Sequence, residues 1–254
     1  MCGENLAMIK SAAADPISFA GYRFPPEVIS YAVWLYFRFP LSLRMVEEML
    51  AARSIEVTYE TVRQWASKLG QQAAKRIRAR VGSFGDKWHL DEVVITIKGK
   101  HHWLWRAVDQ HGYVLDVLVQ SRRNTQAAER LMRKLLRKNG KIPRVMVADK
   151  VKSYAAANKK IGLKFEHRQH KGLNNRAENW QNSKLTHQPS RVREKVMRRY
   201  KSACHLQRFL SVHDQVANQF MRCRYNHDAK QKRELRAQAF AAWNAVTCAK
   251  MVAV

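Results

Sequence analysis

The chain is poor in acid and poor in cysteine. Twenty Asp and Glu stand against 47 Lys and Arg, a formal charge of +27 over 254 residues. Such an excess opposes compaction by self-repulsion unless a polyanion neutralises it, so nucleic acid is the expected partner, ahead of a membrane surface or a ribosomal-type role. The four cysteines, Cys2, Cys204, Cys223 and Cys248, form no CxxC pair and follow no cleavable signal sequence. That excludes a disulfide framework and points to a reducing cytoplasm. Cys204 with His205, and Cys223 with His227, lack the paired spacing that closes a zinc tetrahedron locally, which leaves free buried thiols as the expectation. Long apolar runs are missing too: the longest, Val28–Phe37, is broken by Ser30 and is too short to span a bilayer, so no membrane partner is expected. There is no internal repeat and no low-complexity tract. What remains is a hydrophobic content of 46%, enough for a real core.

Residues 1–21 show no sustained periodicity and read as a loose leader. Pro25-Pro26 then open a helix whose apolar stripe is Val28, Ile29, Ala32, Val33, Leu35 and Tyr36, and Phe39-Pro40 ends it. Ser42 caps a second helix carrying Met45, Val46, Met49 and Leu50. Thr58 caps a third, with Val62, Trp65 and Leu69 facing inward and Gly70 marking its end or only weakening it. Tyr59, Arg63, Gln64 and Lys68 are left on the outer face of that helix. Two short helices with such a face fit a helix-turn-helix DNA reader over residues 22–81. A plain three-helix bundle has the same pattern, and the net charge favours the reader. Lys75, Arg76, Arg78 and Arg80 then run into Gly82, Ser83 and Gly85, a flexible joint between domains.

Beyond the joint the period changes to that of strands. Trp88–Ile97, His102–Val108 and Tyr113–Val119 read as an antiparallel meander, turning at Lys98-Gly99-Lys100 and Gln110-His111-Gly112. Asn124 or Thr125 caps a helix that Gly140 stops. Next come a buried strand, Val145–Ala148, a helix over Ser153–Lys160, a short strand around Leu163–Glu166 and a helix from Asn175. Three strands followed by alternating helix and strand make a mixed α/β layer over residues 86–225. Phe209, Leu210, Val212, Val216 and Phe220 mark a helix that covers the sheet. Residues 226–254 form a C-terminal helical extension, with a last helix over Arg233–Val246.

Asp91 breaks an otherwise apolar face of the first strand, where an unpaired carboxylate costs several kcal/mol, roughly, unless a cation or a set of donors meets it. Asp149 follows the apolar strand Val145–Ala148, at the strand end where open α/β sheets place their sites. Glu178 stands in the first turn of the helix capped by Asn175, although Asn175-Arg176-Ala177-Glu178 also reads as a capping box. Singly, each acid has a structural explanation. Together, Asp, Asp and Glu from three elements suit two hard divalent cations, because magnesium prefers oxygen ligands.

The stretches that carry these acids resemble a known family. RFPPEVISYAVWLYFRFPLSLRMVEEML, WHLDEVVITI, SRRN, the ADK around Asp149, YAAA, EHRQHKGLNNRAEN and HQPSR resemble bacterial DDE transposases of insertion sequence family six, from about Tyr22 onward. The resemblance implies a ribonuclease-H-like, integrase-type catalytic domain with flanking helices behind a helix-turn-helix domain. It implies Asp91, Asp149 and Glu178 as the catalytic, metal-holding triad, with two Mg²⁺ or Mn²⁺ ions. It implies binding of terminal inverted repeats, then cleavage and transfer of a 3′-hydroxyl to target DNA, by a homodimer or higher oligomer on double-stranded DNA in the bacterial nucleoid. Arg122, Arg123, Lys150 and Arg168 are the expected phosphate contacts. Here Trp180–Thr186 (WQNSKLT) intervenes between AEN and HQP, so Leu185 takes the place of a basic residue that reaches DNA two helical turns beyond the Glu. Lys184 lies beside it, and Arg191 is pushed further along. A catalytically impaired, DNA-binding copy is the alternative this departure raises.

Overall fold

The computed structural model describes residues 17–80, 84–148, 152–162, 166–169, 192, 194–196, 200–221 and 227–247. Among them the elements run α1 (Pro26–Arg38), α2 (Leu43–Ala51), α3 (Tyr59–Arg80), β1 (Lys87–Ile97), β2 (Lys100–Asp109), β3 (Val114–Gln120), α4 (Thr125–Asn139), β4 (Val145–Ala148), α5 (Lys152–Ile161), β5 (Glu166–Gln169), α6 (Ala203–Gln219) and α7 (Ala229–Thr247). They form two compact units. One takes the chain up to Gly82 and from Ser211 onward; the other is Ser83–Leu210. Most of the leader, residues 1–16, lies outside the described residues.

The first unit is helical. Pro26 occupies the first turn of α1, where no intrahelical N–H is needed. Ser42 Oγ accepts from Met45 N at 3.2 Å and Thr58 Oγ1 from Thr61 N at 3.3 Å, so both expected caps are made. α1 is buried well beyond the expected stripe, over Ile29, Ser30 and every residue from Ala32 to Phe37, because α2, α3 and α7 all pack on it. Ser30, which interrupts the apolar run, is part of a closed polar circuit. Its hydroxyl accepts from Trp243 Nε1 at 2.9 Å and donates to Thr247 Oγ1 at 2.9 Å, and that hydroxyl donates to the Trp243 carbonyl at 3.0 Å. Each buried polar atom of the circuit is thereby satisfied.

Gly70 does not end α3, which continues for ten more residues to Arg80. A Cβ there would stand 2.6 Å from the Phe37 ring, so the glycine is what lets α3 press against α1. Arg76 Nη1 donates to the Val246 carbonyl at 2.5 Å and Arg80 Nη2 to that of Ala245 at 3.1 Å, which satisfies carbonyls that the end of α7 leaves open. The described residues of 211–221 and 227–247 group by contact with α1 to α3. The apolar side chains explain it: Phe220 packs on Trp34 and Phe240, with centroids 5.9 and 5.2 Å apart, and Val212 lies against Gly70.

The second unit is a five-stranded mixed sheet in the order β3-β2-β1-β4-β5, antiparallel from β3 to β1 and parallel from β1 to β5. The β1–β2 hairpin closes on Lys98 and Gly99, both with positive φ (+50° and +76°), the two-residue loop whose twist matches the strands. Asp109 is buried at the next turn, where Oδ1 accepts from His111 N and Tyr113 N and Oδ2 from Gly85 N. Gly85 is therefore a packed contact; a Cβ on it would overlap Gln110 Oε1 at 2.1 Å. Asn124 caps α4 by accepting from Ala127 N at 3.0 Å, and Gly140 ends it at φ +66°. Of the expected short strand around 163–166, residues 163–165 lie outside the described residues, and β5 includes Glu166, whose backbone pairs with Val145. Gln207 of α6 accepts from Val119 N at 2.8 Å and donates to Val117 O at 3.1 Å, which occupies backbone groups on the outer edge of β3.

Two substitutions test the helical packing by chemical denaturation. Ser30→Ala leaves Trp243 Nε1 buried without its acceptor and is expected to cost about 1–3 kcal/mol. Gly70→Ala, which raises helix propensity, is nevertheless expected to destabilise by about 1–3 kcal/mol through overpacking against Phe37. A stabilised Gly70→Ala protein would contradict the close approach.

Candidate active site

Asp91 lies mid-strand in β1, half-buried, with Oδ1 accepting from Glu92 N at 2.8 Å. Leu90, the residue before it, pairs with Ala148, the last residue of β4. Across the antiparallel ladder Asp91 pairs with Arg106, which is 3% exposed and shares its face of the sheet. His89 stands on that face too; burial, with the nearby Lys87, pushes its pKa down to about 4, so it is neutral near pH 7. Asp149 and Glu178 lie outside the described residues, as do Lys150, Lys184, Arg191 and the stretch Trp180–Thr186. Among the described residues no three His, Cys, Asp or Glu side chains gather into a metal-binding group. The expected set of three carboxylates fits a hard cation by its chemistry, since every donor is oxygen.

Glu92 points to the opposite face, and the sequence reading passed it over. Its side chain is 3% exposed, yet both oxygens are met: Oε1 accepts from Arg123 Nε at 2.9 Å and from Arg123 Nη2, and Oε2 accepts from the Tyr154 hydroxyl at 3.1 Å. Burial raises the Glu92 pKa, with Arg123 and the Tyr154 hydrogen bond opposing it. Tyr154 is fully buried, edge-on to Trp105 with centroids 5.5 Å apart, and its pKa is driven well up by burial and by Glu92. The guanidinium of Arg123 lies 4.9 Å over the Trp103 ring. Arg123, expected on phosphate, also meets this internal carboxylate, and both it and Arg122 are exposed. The available signal was an acid among Trp88, Leu90 and Val94 on the second apolar face of β1. Arg168 sits in β5, its backbone opposite Val147.

On the helical unit, Tyr59, Arg63, Gln64 and Lys68 of α3 are all exposed, while Val62, Trp65 and Leu69 are buried. Arg63 is engaged by Glu60, with Nε to Oε2 at 2.7 Å and Nη2 to Oε1 at 2.5 Å, and that pair holds its pKa up. The Arg44 guanidinium lies 5.1 Å over the Tyr59 ring. Cys204 is exposed, not buried as expected, because it falls on an outer position of α6.

The DDE domain family matches residues 85–222, more than half of the chain. The transposase for insertion sequence element IS257 in transposon Tn4003 of Staphylococcus aureus is 31% identical over 144 residues, covering 57% of this chain and 64% of that protein. Transposases for insertion sequence-like element IS431mec, from several strains of the same species, match to the same extent. The chain thus spans somewhat under two thirds of these relatives' length. Among solved structures, the HTLV-2 integrase catalytic core domain in complex with magnesium is similar at 17% identity and a TM-score of 0.31, covering 45% of this chain and 84% of that one. A simian T-cell lymphotropic virus intasome chain is similar at 17% identity and a TM-score of 0.31, covering 53% and 56%. With the mixed sheet and Asp91 beside the β1–β4 junction, the match over residues 85–222 makes this chain a member of the DDE transposases of insertion sequence family six.

Proposed function

We propose that the chain binds the terminal inverted repeats of its own insertion sequence and transfers the 3′-hydroxyl of the cut end to a target strand. The observation that carries this reading is the parallel pairing of Leu90 with Ala148, which brings the end of β4, the residue before Asp149, alongside the residue before Asp91 within a matched DDE domain. Asp91, Asp149 and Glu178 would hold two divalent cations, Mg²⁺ or Mn²⁺. Such cations, when bound, stabilise the attacking and leaving oxygens of an in-line displacement. The chain's own part is to orient the phosphate and supply carboxylates. One phosphodiester bond forms to the incoming 3′-oxygen as another breaks, its leaving oxygen taking a proton, and no protein side chain becomes covalently attached.

The helical unit supplies the reader in this account. Tyr59, Arg63, Gln64 and Lys68 present a polar face of the kind that enters a major groove, and a base contact by Arg63 exchanges Glu60 for a guanine edge. Arg122, Lys150, Arg168, Lys184 and Arg191 are the proposed phosphate contacts. Arg123, which also pairs with Glu92, keeps an exposed side chain and belongs to the same set. A homodimer or higher oligomer on the DNA would present two ends together. The stretch Trp180–Thr186 favours a second reading, a copy that occupies repeats without joining them.

Strand transfer with end-containing DNA, with and without Mg²⁺, decides between these. Asp91→Asn is expected to abolish joining while leaving repeat binding and the unfolding transition nearly unchanged; normal joining by this variant would remove Asp91 from the site. If the parent protein binds repeats yet joins nothing, and deleting six residues within Trp180–Thr186 restores joining, the second reading is correct. Arg63→Ala is expected to weaken binding to the repeats about tenfold or more and binding to unrelated DNA little. Equal loss on both would make Arg63 a phosphate contact.

A further inference from the structure

We propose that Glu92 is a positioning residue, which through Tyr154 fixes the segment carrying Asp149 relative to Asp91. The inference rests on the reading of Asp91 and Asp149 as paired cation ligands.

Residues 149–153 alone separate Ala148 from Tyr154. At one end of that segment Ala148 is paired with Leu90; at the other, the Tyr154 hydroxyl donates to Glu92 at 3.1 Å. Leu90 and Glu92 are the two neighbours of Asp91. Ala148 and Tyr154, on either side of that segment, are therefore each tied to a residue that flanks the first acid, one through the backbone and one through a buried side chain. Only the second tie can be removed without breaking the sheet.

Glu92 is unsuited to be a ligand itself. Strand alternation turns it to the face opposite Asp91, and its two oxygens already accept from Arg123 and Tyr154. A carboxylate so enclosed needs those donors, and it keeps them in place because its own burial penalises any displacement. Arg123 is held in turn over Trp103, and Tyr154 against Trp105, the cross-strand partner of Glu92. Trp103 and Trp105 line one face of β2, so the brace has a rigid floor. Two cations about 3.5–4 Å apart tolerate little drift between their carboxylates, and loss of a group that orients a ligand typically costs roughly 10–100-fold in metal affinity.

The test uses the full chain and Mn²⁺ alone, with the unbound ion read by electron paramagnetic resonance and folding followed by thermal unfolding. Tyr154→Phe keeps the ring against Trp105 and removes only the hydroxyl; Glu92→Gln removes the charge. Both are expected to raise the Mn²⁺ dissociation constant about tenfold. Asp116→Asn is the control: this buried acid of β3 pairs with Lys134 and Lys138 of α4, and weakening that pair should lower the unfolding temperature while leaving Mn²⁺ affinity within about twofold of the parent. If Asp116→Asn weakens Mn²⁺ binding as much as Tyr154→Phe does, the effect is one of general stability and the positioning role is wrong. If Asp91→Asn loses Mn²⁺ but Tyr154→Phe binds it like the parent, the positioning role is wrong and the ligand reading stands. If the parent fails to bind Mn²⁺, or Asp91→Asn binds it equally well, the ligand reading fails and this inference falls with it. Should Glu92→Gln not fold, Tyr154→Phe alone decides.

Discussion

A parallel pair of strands cannot be joined by a tight turn, and the sheet unit is arranged around meeting that requirement for β1 and β4. The chain leaves β1 through β2 and β3, crosses by α4 and returns as Val145–Ala148, all four residues buried. A strand buried on both faces needs cover on both, and the polar groups trapped beneath that cover must be paired. Asp116 meets Lys134 and Lys138 from α4; Glu92 meets Tyr154 from α5 and Arg123 from the loop before α4. The same ion pairs that make the cover tolerable also fix where it sits.

This use of cations changes what the charge of +27 means. Arg76 and Arg80 bond the last carbonyls of α7, Arg123 a buried glutamate, Lys134 and Lys138 a buried aspartate, and Lys160 reaches Glu129 at 2.9 Å. Six of the 47 Lys and Arg are thus engaged in contacts within the chain, several while partly exposed. A salt-dependence slope counts phosphates neutralised, and cations so engaged would add to it only by exchanging their internal partners.

Much of this architecture was legible because local signals agreed with global ones. The caps at Ser42, Thr58 and Asn124, the turn at Lys98-Gly99 and the run Val145–Ala148 are read from residue type alone, since each position makes its own hydrogen bond or fills its own face. The roles of Gly70, Gly85 and Ser30 are not legible in the sequence for a shared reason: what each does is set by a residue far away, Phe37, Gln110 and Trp243 respectively. In the candidate site, Asp91 was found as an acid on an apolar strand. Glu92 met the same criterion on the other face, but its partners come from 31 and 62 residues downstream, a separation that no periodicity reports.

The edge of the sheet carries one further meaning. A bare edge strand is a template on which a second copy can extend the sheet, with backbone pairing that is indifferent to side chains. At Val117 and Val119 of β3, Gln207 already occupies that template, imitating with one amide side chain the donor and acceptor of a neighbouring strand. A second copy of this chain is thereby steered away from backbone-templated association at this edge and toward contacts that side chains can specify, where a wrong partner can be refused.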